Sequence, residues 1–182
     1  MRVAFVCTGN RFRSPLAAAL FAARAGAEEV PVHVASLGTL ELGPVPALPE
    51  ALEVARSMGV DLSRHRARTV AGSNLERFEL VLGFERAHVA AAVVDGGADR
   101  ARTFTLPELV DLLEVIPDPP PGGPPHERAR LRIREAHAAR PPERNRPVPE
   151  LADPLGRSPR AQREIANELR GLVSTLTQRL FG

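Results

Sequence analysis

Cys7 and Arg13 are separated by five residues in the stretch Cys7-Thr8-Gly9-Asn10-Arg11-Phe12-Arg13, and Ser14 follows at once. These residue types suit one kind of chemistry. A cysteine thiolate is a strong nucleophile. A guanidinium can grip two oxygens of a tetrahedral dianion in a planar fork that an ammonium cannot reproduce. A Gly-containing loop that opens onto a helix adds backbone N–H groups and the positive end of the helix dipole. The same surroundings favour the thiolate form of Cys7, and the Ser14 hydroxyl can donate to that sulfur as it leaves. Spacing alone carries little, since Arg fills 24 of 182 positions. A lone cysteine at a strand end is also more often a small buried hydrophobe. Context supplies the weight: an apolar run, Val3 to Val6, then the loop, then Ser14-Pro15 opening an Ala/Leu-rich helix.

The elements that must hold such a loop are legible in order. A helix is predicted over about 14–25. Val30 to Ala35 alternates as a strand that ends at Ser36-Leu37-Gly38-Thr39, and a helix over about 49–58 stops at Gly59. Asp61 to Arg68 is polar and reads as a loop. Phe78 to Leu82 is a compact apolar run suited to a buried parallel strand. A helix over about 85–94, a short strand over 103–106 and a helix over 107–115 follow. In the last segment Ser158 can cap and Pro159 fits the first turn. Ile165, Leu169, Leu172, Val173, Leu176 and Leu180 then form one apolar stripe. Strand and helix alternate, which predicts an α/β fold: a doubly wound four-stranded parallel sheet with helices on both faces and the phosphate-binding loop after the first strand. A single domain is expected over residues 1–182. Residues 117–149 carry ten of the 18 prolines and seven of the arginines, and read as an insertion or mobile loop with a short basic helix over 126–139 inside it.

Composition narrows the classes. A single cysteine excludes an internal disulfide framework and a multi-cysteine zinc site; no metal and no cofactor is expected. Net charge is +2, but every basic residue is Arg, which gives the pI of about 9.8. The Val3 to Cys7 run is too short for a signal peptide, and no stretch approaches a membrane span. A cytoplasmic location and no membrane partner are expected. The arginines of 117–149 lack interleaved aromatics, which argues against nucleic acid as a partner.

The loop Cys-Thr-Gly-Asn-Arg-Phe-Arg-Ser-Pro resembles the signature of the low-molecular-weight protein tyrosine phosphatases, a family related to arsenate reductases. Further stretches are similar to that family: Val34 to Thr39, Gly59 to Arg68, Phe78 to Phe84, and Ala152 to Leu169, the last resembling its Asp-Pro loop and final helix. The resemblance implies an enzyme, a phosphoric monoester hydrolase acting on phosphotyrosine-type aryl phosphates of proteins. In it Cys7 is the nucleophile and forms a phosphocysteine, Arg13 clamps the equatorial oxygens, and Asp153 is general acid and then base. Thr8, Gly9, Asn10, Arg11, Phe12 and Ser14 bind phosphate or substrate. Asn10, Ser14, Ser36 and His65 brace the loop through hydrogen bonds, the last two from outside it. Asp118 also precedes a proline and is a rival acid, but it lies in a stiff Pro-rich run far before the last helix.

The chain also departs from that pattern. Phe12 stands where many members carry a second cysteine, so an oxidised Cys7 has no neighbouring thiol to protect it. Arg11, at the pocket mouth, favours acidic sequence around the phosphorylated residue. Relatives that act on phosphoarginine have a small Thr there. Leu155 replaces an aromatic residue that often follows Asp-Pro. Two alternatives stay open: an arsenate reductase that depends on an external thiol cofactor, and a non-catalytic module that binds phosphate or phosphoproteins.

Overall fold

The computed structural model describes residues 1–119, 122–141 and 147–182. Its centre is a four-stranded, wholly parallel sheet with strand order β2-β1-β3-β4. The strands are β1 (Arg2–Cys7), β2 (His33–Gly38), β3 (Leu80–Gly83) and β4 (Thr103–Thr105). The helices are α1 (Arg13–Ala27), α2 (Pro49–Ser57), α3 (Arg86–Val94), α4 (Leu106–Val115), α5 (Pro125–Ala138) and α6 (Pro159–Phe181). This is the doubly wound α/β architecture that the alternation of elements predicts.

Side chains alternate across the sheet and give it two unequal cores. Val3, Phe5, Leu80, Leu82 and Phe104 face one side and are buried under α1, α4 and α6, with Leu16, Phe21, Leu109, Leu169 and Val173 completing that cluster. Ala4, Val6, Ala35, Leu37 and Val81 face the other side and meet Val70, Leu75, Phe78 and Ala92. Burial on both faces explains why β1 and β3 read as unbroken apolar runs.

Chain order fixes where a ligand can bind. β1 is followed by its neighbour β2 on one side, and the chain then crosses to β3 on the other. The segments leaving β1 and β3 therefore diverge and open a crevice at the carboxyl ends of the strands. Cys7 and Glu85 stand at its two walls.

Two boundaries differ from expectation. β2 begins at His33 rather than Val30 and runs on through Gly38. Pro31 has no N–H for a ladder, whereas Ser36, Leu37 and Gly38 pair with Phe5, Val6 and Cys7. β3 begins at Leu80 because Phe78 still closes a turn of 3-10 helix, Leu75–Arg77.

Within residues 117–149, positions 120–121 and 142–146 lie outside the described residues. The basic helix expected there is α5, which packs on α4 and α6 through Ala129, Ile133 and Ala136. Arg132 is buried and donates to the Asp118 carboxylate at 2.9 Å, to the Leu113 carbonyl at 2.9 Å and to the Pro117 carbonyl at 3.3 Å. Arg128 ties the same helix to the Phe181 carbonyl at 2.6 Å. No helix among the described residues is long and apolar enough to cross a membrane.

Candidate active site

The loop between β1 and α1 is shaped by where its backbone groups go. The carbonyl of Cys7 accepts from Thr39 N–H at 2.9 Å, that of Thr8 from Leu40 at 3.0 Å, that of Arg11 from Leu48 at 3.0 Å and that of Phe12 from Leu16 at 3.1 Å. The Asn10 carbonyl accepts from His65 Nε2 at 2.6 Å. The N–H groups of residues 8–12, in contrast, donate to nothing among the described residues. With the unpaired N–H groups that open any helix, they form a concave set of donors at the start of α1. Polar backbone groups are almost always paired in folded proteins, so a run of unpaired donors marks a place built for an anion.

Asn10 makes the bend possible. Its φ of 52° lies in the left-handed region, where Asn is the best tolerated residue after Gly. The side chain is fully buried: Nδ2 donates to Ser14 Oγ at 2.8 Å and Oδ1 accepts from Arg68 N–H at 2.9 Å. Gly38, at the end of β2, lets the loop come close. A Cβ there would stand 2.9 Å from the Thr8 carbonyl oxygen and 3.0 Å from Asn10 N.

Cys7 is 3% exposed, with its sulfur 3.0 Å from Ser14 Oγ. The Ser14 hydroxyl also faces the Leu37 carbonyl at 3.1 Å. Because Asn10 already donates to this oxygen, its single proton has two possible acceptors. It points to Leu37 when Cys7 is a thiol and can turn to the sulfur when Cys7 is a thiolate.

Arg13 is 2% exposed, and its guanidinium is held from two sides. Nη1 pairs with the Glu85 carboxylate and donates to the Leu151 carbonyl at 3.0 Å, and Nη2 pairs with Asp153 Oδ2 at 2.8 Å. Phe84 lies alongside, with its ring centroid 5.7 Å from the guanidinium carbon. Asp153 is held from its own loop: Oδ1 accepts from Leu155 N–H at 3.1 Å and its backbone carbonyl from Arg157 Nε at 2.8 Å. A thiol, a cradle of N–H donors, a buried guanidinium and a carboxylate thus meet at the crevice, although Cys7 and Asp153 are remote in sequence.

The other expected residues fall as follows. Thr8 and Gly9 line the loop, and Leu42 packs against Gly9. Arg11 is half-buried and donates from Nε to the Pro46 carbonyl at 2.9 Å, fastening its stem to the wall. The Phe12 side chain is 5% exposed and joins the core on the α1 face, which leaves only its backbone toward the loop's concave side. Ser36 is buried in β2, but its hydroxyl makes no hydrogen bond among the described residues. The β2 group that reaches the loop is the Leu37 carbonyl, because it projects in the plane of the sheet toward Ser14. His65 lies against the loop through the Asn10 carbonyl, and burial, its largest influence, lowers its pKa below the usual histidine range. Asp118 is engaged with Arg132 at 2.9 Å and Arg179 at 3.5 Å, so it serves the α5–α6 contact. Glu85, His88 and the Leu151 carbonyl were not foreseen. The one available signal was position: Glu85 follows the carboxyl end of a central parallel strand, where α/β crevices lie.

A buried thiol in an amide cradle, backed by an arginine and faced by a carboxylate beyond the carboxyl ends of a parallel sheet, is a site shaped for a tetrahedral oxyanion. The family model described as "Low molecular weight phosphotyrosine protein phosphatase" matches residues 2–138, and the chain belongs to that family. The relatives named low molecular weight protein-tyrosine-phosphatases are hydrolases acting on phosphoric monoesters, and this chain is an enzyme of that type. Among its relatives is the protein named "Probable low molecular weight protein-tyrosine-phosphatase EpsP" of Ralstonia nicotianae, 40% identical over 105 residues, which are 57% of this chain and 69% of that one. A protein-arginine-phosphatase of Bacillus subtilis is 34% identical over 110 residues, 60% of this chain and 73% of the other. The crystal structure of the low molecular weight protein tyrosine phosphatase from T. tengcongensis superposes with a TM-score of 0.72 at 28% identity, covering 99% of each chain.

Proposed function

We propose that this enzyme removes phosphate from phosphotyrosine-type aryl esters of proteins through a phosphocysteine. The observation that carries this reading is the run of unpaired N–H groups at residues 8–12 closing on Cys7 and Arg13. The Cys7 thiolate attacks phosphorus in line; the S–P bond forms as the P–O bond to the leaving group breaks. Loop amides and Arg13 hold the equatorial oxygens, which carry the spreading charge. Asp153 gives its proton to the departing oxygen, then takes one from the water that attacks the phosphocysteine. The S–P bond breaks, and the Ser14 hydroxyl turns toward the sulfur and stabilises it as it leaves. Glu85 keeps the guanidinium oriented throughout.

The choice of aryl ester over phosphoarginine rests on Arg11. A phosphoarginine side chain carries its own guanidinium to the mouth, where a like charge opposes it. A single thiol that must stay reduced fits a cytoplasmic location. The deciding experiment is a panel of phosphotyrosine, phosphoarginine and phosphoserine peptides run on wild type and on Cys7→Ser. Release of phosphate from phosphotyrosine by wild type alone is expected. Turnover of phosphoarginine alone, or thiol-dependent reduction of arsenate with no phosphate release, would replace this reading.

A further inference from the structure

His88 takes no part in the steps above, yet it touches both ends of the cradle. It lies in the first turn of α3 and is 1% exposed. Its Nδ1 accepts from the backbone N–H of Glu85 at 3.1 Å and of Phe84 at 3.3 Å. A neutral imidazole that accepts at Nδ1 carries its proton on Nε2, and Nε2 stands 3.0 Å from Thr8 Oγ1. The bond therefore runs from Nε2–H to the Thr8 hydroxyl. Burial first, and then the Arg13 charge, push the ring's pKa down to about 4 against the pull of Glu85, Asp153 and Glu150, which keeps this tautomer neutral.

Each contact leads to a reactive group. Thr8 is bonded to Cys7. The Glu85 side chain accepts from the His88 backbone N–H in a reciprocal cap, and its carboxylate pairs with Arg13. The space for the ring is built into β3: a Cβ on Gly83 would stand 2.9 Å from His88 Cβ. We infer that His88 is a positioning residue that sets the separation of the Cys7 end of the loop from the Arg13 guanidinium, through Thr8 Oγ1 on one side and the Glu85 backbone on the other. The inference rests on the phosphatase reading of the loop.

A helix cap alone would use only Nδ1, so the two ring nitrogens can be tested apart. His88→Asn keeps an oxygen near the capping position but cannot reach Thr8; His88→Gln places an amide N–H near Nε2; Thr8→Val removes the acceptor and leaves the cap intact. On an aryl phosphate, Thr8→Val and His88→Asn are each expected to lower kcat/KM about tenfold, chiefly in kcat. Both should move the pH profile of Cys7 alkylation by iodoacetate to higher pH. The double variant should be no worse than the worse single one, and His88→Gln should recover most of the loss. Wild-type kcat/KM in Thr8→Val, or losses that multiply in the double variant, would overturn the assignment. If His88→Asn does not fold, Thr8→Val alone decides. If wild type hydrolyses no phosphomonoester, the phosphatase reading fails, and the alkylation profile still tests the tie from His88 to the loop.

Discussion

Two aspartates precede prolines in this chain, and their surroundings differ. Asp153 reaches Arg13 at 2.8 Å in the crevice, whereas Asp118 reaches Arg132 at 2.9 Å between helices. Asp153→Ala is expected to lower kcat on an aryl phosphate about a hundredfold or more. Asp118→Ala should leave kcat within about twofold and cost roughly 1 kcal/mol in a urea melt, because its carboxylate is mostly exposed. Steady-state kinetics on the two variants side by side checks both. Residues that share a stretch were legible at this scale. Cys7, Arg13 and Ser14 sit within one loop, so their chemistry and their spacing appear together in the sequence. Glu85 and His88 reach the same point because β3 lies beside β1, and the sequence around them carries no motif, only their place after a central strand. Ser36 shows the opposite error: a polar residue in the right strand whose hydroxyl makes no bond to the loop.

Among elements, the critical contact is the end of β2 against the loop. Gly38 has no φ that demands glycine; it is needed for space, since a Cβ would press on Thr8 and Asn10 at 2.9–3.0 Å. Gly38 is itself held on both sides, by its N–H to the Arg68 carbonyl at 2.7 Å and by Val70 N–H to its own carbonyl at 2.9 Å, so the loop must shift rather than the strand. Gly38→Ala should therefore lower kcat/KM about tenfold or more on an aryl phosphate and lower the melting temperature as well. An unchanged kcat/KM would show that the loop tolerates the displacement. Strand and helix types were readable from apolar runs and caps; the Ser158 hydroxyl does accept from Ala161 N–H at 3.3 Å at the start of α6. The start of β2 was not readable, because alternation in Val30 to Ala35 competes with a fact visible only in the sheet: which residues have a partner in β1.

For the whole molecule, buried His88 and half-buried His65 make stability depend on pH with a definite sign. His88 is pushed from 6.5 down to about 4 on folding, by burial and then by Arg13, and His65 is lowered as well, by burial first. Between those two values the unfolded chain binds more protons than the folded one, so stability rises with pH. The contribution is fully present above about 6.5 and is lost as pH falls toward about 4. Wild type should lose on the order of 2–3 kcal/mol from His88 across that window, and urea melts at pH 7, 5.5 and 4.5 would read it. His88→Asn should flatten the slope; a slope unchanged in that variant would place the dependence elsewhere. The overall architecture was legible from the alternation of elements because each strand is short, apolar and bounded by turn residues. The two-sided crevice was not, since it follows from strand order.

The pairing of Arg13 with Asp153 also bears on how the enzyme lets go of its product. Nη2 holds an anion that belongs to the protein, the Asp153 carboxylate, at 2.8 Å. On the proposed reading, inorganic phosphate held by Arg13 competes with that tethered carboxylate for the guanidinium. On that reading Asp153, the proposed acid, is also expected to act as an internal competitor that speeds clearance. Asp153→Ala, although slow in turnover, should bind phosphate or vanadate about three- to tenfold more tightly as a competitive inhibitor. An inhibition constant equal to that of wild type would show that the pair has no bearing on release.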